Sequence, residues 1–438
     1  MKKFRSMSVV MDVIYFFIVV SSLPYFFLRM IWEKGYWKKI VSKFRSPPIR
    51  RGKRPCIWVH AVSVGEVLSI QNFVPALERE LPQYEVVLST FTTTGQEVAR
   101  KIFPNHFIFN YPLDLSRFVR LAFHRIRPRL VILVELELWP NFLYLAAQFG
   151  IPVMVINGRI TQKSKRGYQR LKFFFHRPLQ HICHYCVQTK EYGERFQQLG
   201  VSPQKISVVG NIKFDNVFVG NVSKLQRQMQ RNLGLPSEAL VIVAGSVHPR
   251  EEEIVLDIYC HYKRFYDQLF LILAPRHPQK IPQMVSALQR RSLKYLLKTD
   301  LDRQSQKKLR PNQVLLVDTM GELPYIYAVA SLVFVGGSFI PYGGHNVLEP
   351  AVLGKPVLVG PHTFNFRKIV EYLASFQGII QVRKPSQLRE WIGIFLRSYQ
   401  KREEIGRNAR SAILRNRGAT EKTVALVSEL VRNLDRGQ

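Results

Sequence analysis

Short apolar runs rich in β-branched residues recur along most of the chain, separated by stretches with helical spacing. In the first half these runs predict strands at Cys56–His60, Glu85–Thr90, Phe107–Asn110, Leu130–Val134, Val153–Ile156, Tyr185–Gln188 and Ile206–Val209. In the second half they predict strands at Val241–Gly245, Phe270–Ala274, Val314–Asp318, Leu332–Gly336, Pro356–Gly360 and Ile379–Val382. Runs such as VILV and VIVAG show no polar alternation, the pattern of parallel strands covered on both faces. Strands that alternate with helices imply open, doubly wound α/β sheets, here two of them. The periodicity lapses over Asn211–Ser223, and Lys224–Leu233 reads as the opening helix of the second half. The expected domains are therefore residues 35–215 and residues 224–438, the latter including a final helix with charge on one face.

Ahead of both lies Val13–Leu28, VIYFFIVVSSLPYFFL, which carries no charge. As a helix it would span roughly 24 Å, short of a bilayer core of about 30 Å. Met30, Ile31 and Trp32 lengthen it if Arg29 snorkels to the interface. The aromatic run resumes directly after Ser21-Ser22, which argues against a cleaved signal peptide. Residues 1–34 are thus expected to form an uncleaved anchor, spanning or shallowly inserted. The flank that follows holds Arg29, Lys34, Lys38, Lys39, Lys43, Arg45, Arg50, Arg51, Lys53 and Arg54 against Glu33 alone, whereas the flank before it holds Lys2, Lys3 and Arg5. An excess of cations on the following side places the body on the cytoplasmic face of the inner membrane.

Composition sharpens this picture at two points. In 438 residues there are 64 Lys and Arg against 31 Asp and Glu, a net charge of +33, so the surface should seek anionic partners. The four cysteines exclude a disulfide scaffold and agree with a reducing compartment. His181-Ile-Cys183-His-Tyr-Cys186 has the spacing of a metal site but no partner pair elsewhere, and reads as core cysteines. No P-loop, no G-x-G-x-x-G after the first strand, no G-x-S-x-G elbow and no recognised nucleic-acid module is present.

In open α/β sheets ligands sit beyond the carboxyl ends of the strands, where this sequence gathers its unusual polar residues. The tips are His60-Ala-Val-Ser-Val-Gly-Glu66, Thr90-Phe-Thr-Thr-Thr-Gly95, Glu135-Leu-Glu-Leu-Trp-Pro-Asn141 and Asn157-Gly-Arg159 in the first half. In the second they are Gly245-Ser-Val-His248, Pro275-Arg-His-Pro278, Asp318-Thr-Met-Gly-Glu-Leu323 and Gly336-Gly-Ser338. Two sheets facing each other with such tips would enclose one cleft. The most specific segment runs from Gly336 through Gly343-Gly-His-Asn346 to Glu349-Pro350. Its glycines would let backbone N–H groups approach a phosphate, with a helix beginning near Asn346 adding its positive end. Glu349 either accepts hydrogen bonds from a ribose or only complements that helix end.

These motifs together resemble the membrane-anchored Kdo transferases of lipopolysaccharide synthesis, over nearly the whole chain. That family has the GT-B fold and moves Kdo, an acidic eight-carbon sugar, from CMP-Kdo to a lipid A precursor (lipid IVA). Family members differ in how many Kdo residues they add. The resemblance implies an inverting transfer with Glu66 as general base, and Glu135 or Glu137 orienting the acceptor or supporting developing charge. It implies donor contacts from Ser246, Arg276, His277, Gly337, His345, Asn346 and Glu349, with cytosine received at Gly321, and acceptor contacts from Thr93, Thr94, Asn157 and Arg159. It implies no metal or other cofactor. Leu136 stands where the family usually has a small polar Thr, so the division of roles between Glu135 and Glu137 stays open. The basic, aromatic stretch Gly158–Arg177 suits an anionic lipid surface or else is a solvated face over a packed Phe cluster. Two rival functions are another GT-B transferase with a different nucleotide sugar, and a membrane-tethered polyanion binder without catalysis.

Overall fold

The computed structural model describes residues 7–17, 20–22, 47–217, 220–303 and 308–436. The chain divides into two compact units, Met1–Asn216 with Arg417–Gln438, and Val217–Asn416. The first unit is built on β1 (Cys56–His60), β2 (Glu85–Thr90), β3 (Phe107–Asn110), β4 (Pro128–Val134), β5 (Val153–Gly158), β6 (His184–Val187) and β7 (Ile206–Val208). They lie in the order β3-β2-β1-β4-β5-β6-β7, with every described pairing parallel. Successive side chains on a strand point to opposite faces, and here both faces are covered. Cys56 and Trp58 of β1 join one core with Val131 and Leu133 of β4. Ile57 and Val59 join the other with Leu130, Ile132 and Val134. This is why the runs lack polar alternation.

The second unit repeats the plan. Its strands are β8 (Leu240–Val247), β9 (Leu269–Pro275), β10 (Lys294–Leu297), β11 (Gln313–Leu316), β12 (Leu332–Val335), β13 (Val357–Val359) and β14 (Ile380–Gln381). They are parallel in the order β10-β11-β9-β8-β12-β13-β14. The sequence did not signal β10: KYLL is an edge strand with Lys294 and Tyr295 exposed, so it lacks a doubly buried run. In each sheet the strand order reverses at one place, between β1 and β4 and between β8 and β12, and the carboxyl ends there form the crevice such folds use for ligands.

The last helix departs from expectation. Ala419–Arg436 belongs to the first unit, not to a domain of residues 224–438. Its apolar stripe, Val424, Val427 and Val431, completes the core beneath β1 and β4. Burying three valines contributes about 1.5–3 kcal/mol each, enough to decide where an amphipathic helix docks. Asp215 fastens its start, accepting from the Gly418 and Thr420 amides at 2.7 Å. At its end Asp435 accepts from the Tyr84 hydroxyl at 2.7 Å.

Much of the expected anchor, including residues 23–34, lies outside the described residues. Residues 7–17 and 20–22 are helical, and no described helix is long and apolar enough to cross a membrane. That helix is pinned to the first unit on one side: Asp12 accepts from the Ser116 amide at 2.9 Å, and the Tyr15 hydroxyl donates to Asp114 at 2.7 Å. On its other side Val9, Val13, Phe16, Phe17 and Val20 are exposed.

Candidate active site

Glu66 sits in the first turn of the helix Val64–Ser69, directly after β1. Only 8 % exposed, its carboxylate accepts from the Val62 amide at 2.8 Å and the Ser63 hydroxyl at 2.9 Å. Burial, and after it the neighbouring charge of Glu135, raise its pKa to about 7. The next strand braces this loop: the Thr92 amide and hydroxyl both donate to the Val62 carbonyl, and Thr92 also caps the helix Thr93–Ile102. Thr93 and Thr94 are exposed on that helix's first turn.

Glu135 follows β4 in a left-handed conformation, φ 63°. Its carboxylate meets Lys213 at 2.9 Å and Arg159 at 2.6 Å. Glu137, two residues on, accepts from the Trp139 indole at 3.1 Å, and burial followed by the charge of Glu66 raises its pKa to about 8. Three carboxyl groups are thus brought together with two cations assigned to one of them, which separates their chemistry. Glu135 is ion-paired; Glu66 and Glu137 are positioned to exchange protons near neutrality. Leu136 turns into the apolar core instead. Asp114, buried after β3, accepts from the Asn141 and Phe142 amides at 3.0 and 2.7 Å and so caps the helix Pro140–Gln148, whose N-cap Trp139 offers no acceptor. That fixes the far end of the Glu135–Asn141 segment.

Asn157 does not present itself to an acceptor. It is fully buried, and its Oδ1 accepts from the Ile212 amide at 3.2 Å, holding the loop that carries Lys213. It acts as a positioning residue, with the left-handed φ of 52° that asparagine tolerates well. Arg159 is the part of that motif that reaches the carboxylates.

In the second unit Ser246 (φ 55°) and His248 end β8, and Arg276 and His277 follow β9. Arg276 is half-buried, and its charge bears on His248, His345 and Glu349. Burial raises the Glu349 pKa to about 7 against the hydrogen bond from Asn346, 3.0 Å, and the pull of Arg276. Gly321 turns at φ 90°, a conformation that favours glycine.

Two expectations for this unit change. The Gly337 amide is taken: it donates to Glu251 Oε2 at 2.6 Å, and the Ser338 and Phe339 amides donate to Oε1 at 2.9 and 2.8 Å. The glycine loop therefore wraps a buried carboxylate of its own. A Cβ on Gly336 would lie 2.6 Å from the Ser246 carbonyl and 2.8 Å from Glu251 Oε2, so the close approach of β8 and β12 is what requires glycine there. The helix expected from Asn346 is also only Leu348–Val352, a single turn, so it offers an anion little of a helix dipole.

Lys213, Asp114 and Glu251 were not singled out as functional residues from sequence, and His248 was named only within the β8 tip, without a role of its own. Lys213 lies just beyond the tip of β7, so extending the strand-tip rule would have reached it. Glu251 reads as one of three consecutive first-turn acids, and nothing in the sequence marks Asp114.

Comparison with known proteins decides the family. The model of 3-deoxy-D-manno-octulosonic-acid transferases (kdotransferases) matches residues 37–216. A 3-deoxy-D-manno-octulosonic acid transferase from Haemophilus influenzae is 32 % identical over 378 residues, 85 % of this chain and 86 % of that one. The chain belongs to the 3-deoxy-D-manno-octulosonic acid (Kdo) transferase family. It is a glycosyltransferase. A relative of the same description from Chlamydia muridarum is 28 % identical over 410 residues, 92 % of both chains. Among solved structures, Acinetobacter baumannii MurG shares the fold of the enzyme, with a TM-score of 0.54 and 14 % identity over 86 % of this chain and 99 % of that one. The UDP-GlcNAc 2-epimerase of Neisseria meningitidis does so at a TM-score of 0.56 and 12 % identity, over 87 % of this chain and 100 % of that one. Both likenesses concern the fold alone, the two doubly wound units of the GT-B type.

Proposed function

We propose that the enzyme transfers Kdo from CMP-Kdo to a hydroxyl of a lipid A precursor, lipid IVA, in lipopolysaccharide synthesis. The observation that carries this reading is Glu66, a buried carboxylate of pKa about 7 at the switch point of the first sheet in a member of this family. A base with a pKa near ambient pH takes a proton efficiently while a substantial fraction of it is ionised. The acceptor hydroxyl loses its proton to Glu66 as its oxygen bonds to the anomeric carbon, and the bond from that carbon to the CMP phosphate oxygen breaks. Lys213 and Arg159 hold Glu135 beside the acceptor. Arg276 and Asn346 receive the phosphate, and Glu349 the ribose. The polyanion-binder alternative does not suit a family of transferases with acids at its switch point.

The acceptor implies a membrane surface. The apolar row Val9, Val13, Phe16, Phe17 and Val20 supports shallow insertion, as do Leu171 and Phe173, the latter 75 % exposed, after the cationic helix Gln162–Arg170. Both groups flank the helix Pro140–Gln148, which meets the N-terminal helix through the Asn141–Asp12 hydrogen bond and Phe174 through the Tyr144 hydroxyl. We place the body on the cytoplasmic face of the inner membrane, where CMP-activated sugars and an anionic leaflet are both available. Mass spectrometry of products formed from CMP-Kdo and lipid IVA tests the reaction and counts the Kdo residues added. Transfer from a UDP-sugar, with none from CMP-Kdo, would overturn it.

A further inference from the structure

Arg50, Arg51, Lys53 and Arg54, part of the cationic flank that follows the apolar N-terminal segment, are folded against the amino ends of β1 and β4. With Gly52 and Arg127 they line a notch of about 370 Å³, at the small end of the roughly 300–1,000 Å³ of small-ligand sites. β1 has five residues at about 3.3 Å each, so the notch lies roughly 17 Å from the carboxyl ends of the strands, where Glu66 and Glu135 sit. Its floor is built from a buried cation. Arg50 is 4 % exposed; its Nε donates to the Ile126 carbonyl at 2.8 Å, and its Nη1 to the Glu85 carboxylate at 2.6 Å and the Arg54 carbonyl at 3.0 Å. It thereby caps the carbonyl end of the helix Ser116–Ile126 and neutralises the acid beneath the notch, both of which would repel an anion. A Cβ on Gly52 would lie 2.9 Å from Arg50 Nη1 and closer still to Glu85 Oε2, so glycine is what lets the chain pass over that ion pair. Above it Arg51, Lys53, Arg54 and Arg127 are exposed, and no acid pairs with any of them among the described residues. Arg127 stands at the left-handed position that ends the helix, φ 53°, where glycine is usual and a larger residue is strained. Among the described residues its guanidinium makes one hydrogen bond, to the Arg50 carbonyl at 3.5 Å, too long to offset that strain. Four cations held around one notch also repel each other until an anion joins them.

We propose that this notch is a binding site for a phosphomonoester or diphosphate group, separate from the catalytic crevice of the first unit. Arg51, Arg54 and Arg127 supply guanidinium forks, which match phosphate oxygens in pairs, and Lys53 adds a point charge. A terminal phosphate presents three oxygens and up to two negative charges to this set. A phosphodiester presents two free oxygens and one charge, and gains correspondingly less. The recognising chemistry is the same whether the group is the headgroup of a lipid or belongs to a soluble compound.

The full-length protein is compared with two notch variants, Arg51→Gln/Arg127→Gly and Arg51→Gln/Lys53→Gln. A control of equal charge, Lys294→Gln/Arg310→Gln, alters exposed cations of the second unit. Unfolding midpoints are recorded for all four. Arg127→Gly relieves the left-handed turn, so that variant should melt no lower than wild type while losing the site, which a merely structural arginine would not do. Calorimetry with inorganic pyrophosphate counts sites. Wild type and control should show one site more than the notch variants, or an affinity at that site at least about tenfold higher; any pyrophosphate held at Arg276 is common to every arm. Sedimentation with vesicles of matched surface charge then compares phosphatidic acid, a phosphomonoester, with phosphatidylglycerol, a phosphodiester. A preference of about threefold or more for phosphatidic acid, present in wild type and control and absent from the notch variants, assigns the group to a lipid headgroup. The additional pyrophosphate site without that preference assigns it to a soluble phosphate. The proposal is overturned if wild type shows neither the additional site nor the preference. It is also overturned if the folded notch variants behave as wild type, or if the control loses as much as they do.

Discussion

The carboxylate cluster of the first unit makes a pH-dependent claim whose sign can be worked out. Glu66 has its pKa raised to about 7, so it is protonated, and useless as a base, at lower pH. Turnover should rise with pH: a group of this pKa is about one-tenth ionised at pH 6 and about nine-tenths at pH 8, roughly a ninefold gain. Glu135 is the charge that adds to burial in raising Glu66. Replacing it by Gln removes that charge and frees Lys213 and Arg159 from their ion pairs of 2.9 and 2.6 Å. A unit charge several ångströms away is worth about 1–2 kcal/mol at an effective dielectric near 20, and one pKa unit is about 1.4 kcal/mol. The acid limb of Glu135→Gln should therefore move down by on the order of one pH unit, whatever happens to the maximum rate. Lys213→Met should move it up, because that cation lowers the Glu66 pKa. Glu66→Gln should lose about 10²–10⁴ in turnover and the limb itself. The assay is initial rate of Kdo transfer from pH 5 to 9 under saturating donor. An unchanged limb in Glu66→Gln, or an upward shift in Glu135→Gln, would refute Glu66 as the base. The same raised pKa costs stability: as pH rises from the ordinary carboxylate value toward about 7, the unfolded chain ionises before the folded one and stability falls.

Arg276→Ala should weaken CMP binding by roughly 1.5–3 kcal/mol by calorimetry, and Glu349→Ala by less; unchanged affinity in both would place the nucleotide elsewhere. Val427→Ala with Val431→Ala should cost roughly 3–5 kcal/mol in urea unfolding of the first unit while CMP binding by the second persists. Coupled loss of both would contradict the assignment of the last helix. Deleting residues 1–32 should release the protein only partly from anionic vesicles, and high salt should release much more of the truncated form than of the full-length one, since screening weakens charge but not apolar insertion. The deletion also strips Asp12 and Tyr15 from Ser116, Asn141 and Asp114, so transfer should fall more than CMP affinity; intact transfer would deny that this helix supports the site.

Much of this was readable in the sequence because parallel strands covered on both faces leave uninterrupted apolar runs, and every predicted strand overlaps an observed one. The exception, β10, is an edge strand with only part of its length buried. The last helix advertised an apolar stripe but not the sheet it would meet, since amphipathicity encodes a face and not a partner. The site was legible where chemistry sits at strand tips. Glu66, Glu135, Glu137 and Arg159 converge in one unit, and Arg276, His345, Asn346 and Glu349 in the other. Lys213 escaped notice because a single lysine in a polar turn carries no spacing of its own. The amide-rich glycine loop was misread for a related reason: its N–H groups suit an anion, but the anion they meet is Glu251, supplied from the first turn of the helix Glu251–Lys263 after β8, 86 residues earlier in the chain.

Backbone strain points to the same places as the chemistry. Left-handed non-glycine residues are uncommon and cost about 1–2 kcal/mol, less for asparagine, unless the surroundings impose them. Glu135, Asn157 and Ser246 are among those in this chain; Glu135 and Ser246 lie at carboxyl ends of strands that form a switch point, and Asn157 at the carboxyl end of β5, one strand removed from it. Glu135 is still in the ladder, its amide donating to the Ile156 carbonyl at 2.9 Å, when its backbone turns and its carboxylate meets Arg159 and Lys213. Asn157 carries the neighbouring turn and holds the Lys213 loop in place. The two bends therefore depend on each other: one brings the carboxylate, the other brings a cation to it. A chain selected for stability alone would relax these turns with glycine. Keeping an acid at one and a buried amide at the other is consistent with a site whose charge arrangement, and with it the proton affinity of Glu66, is what the fold maintains.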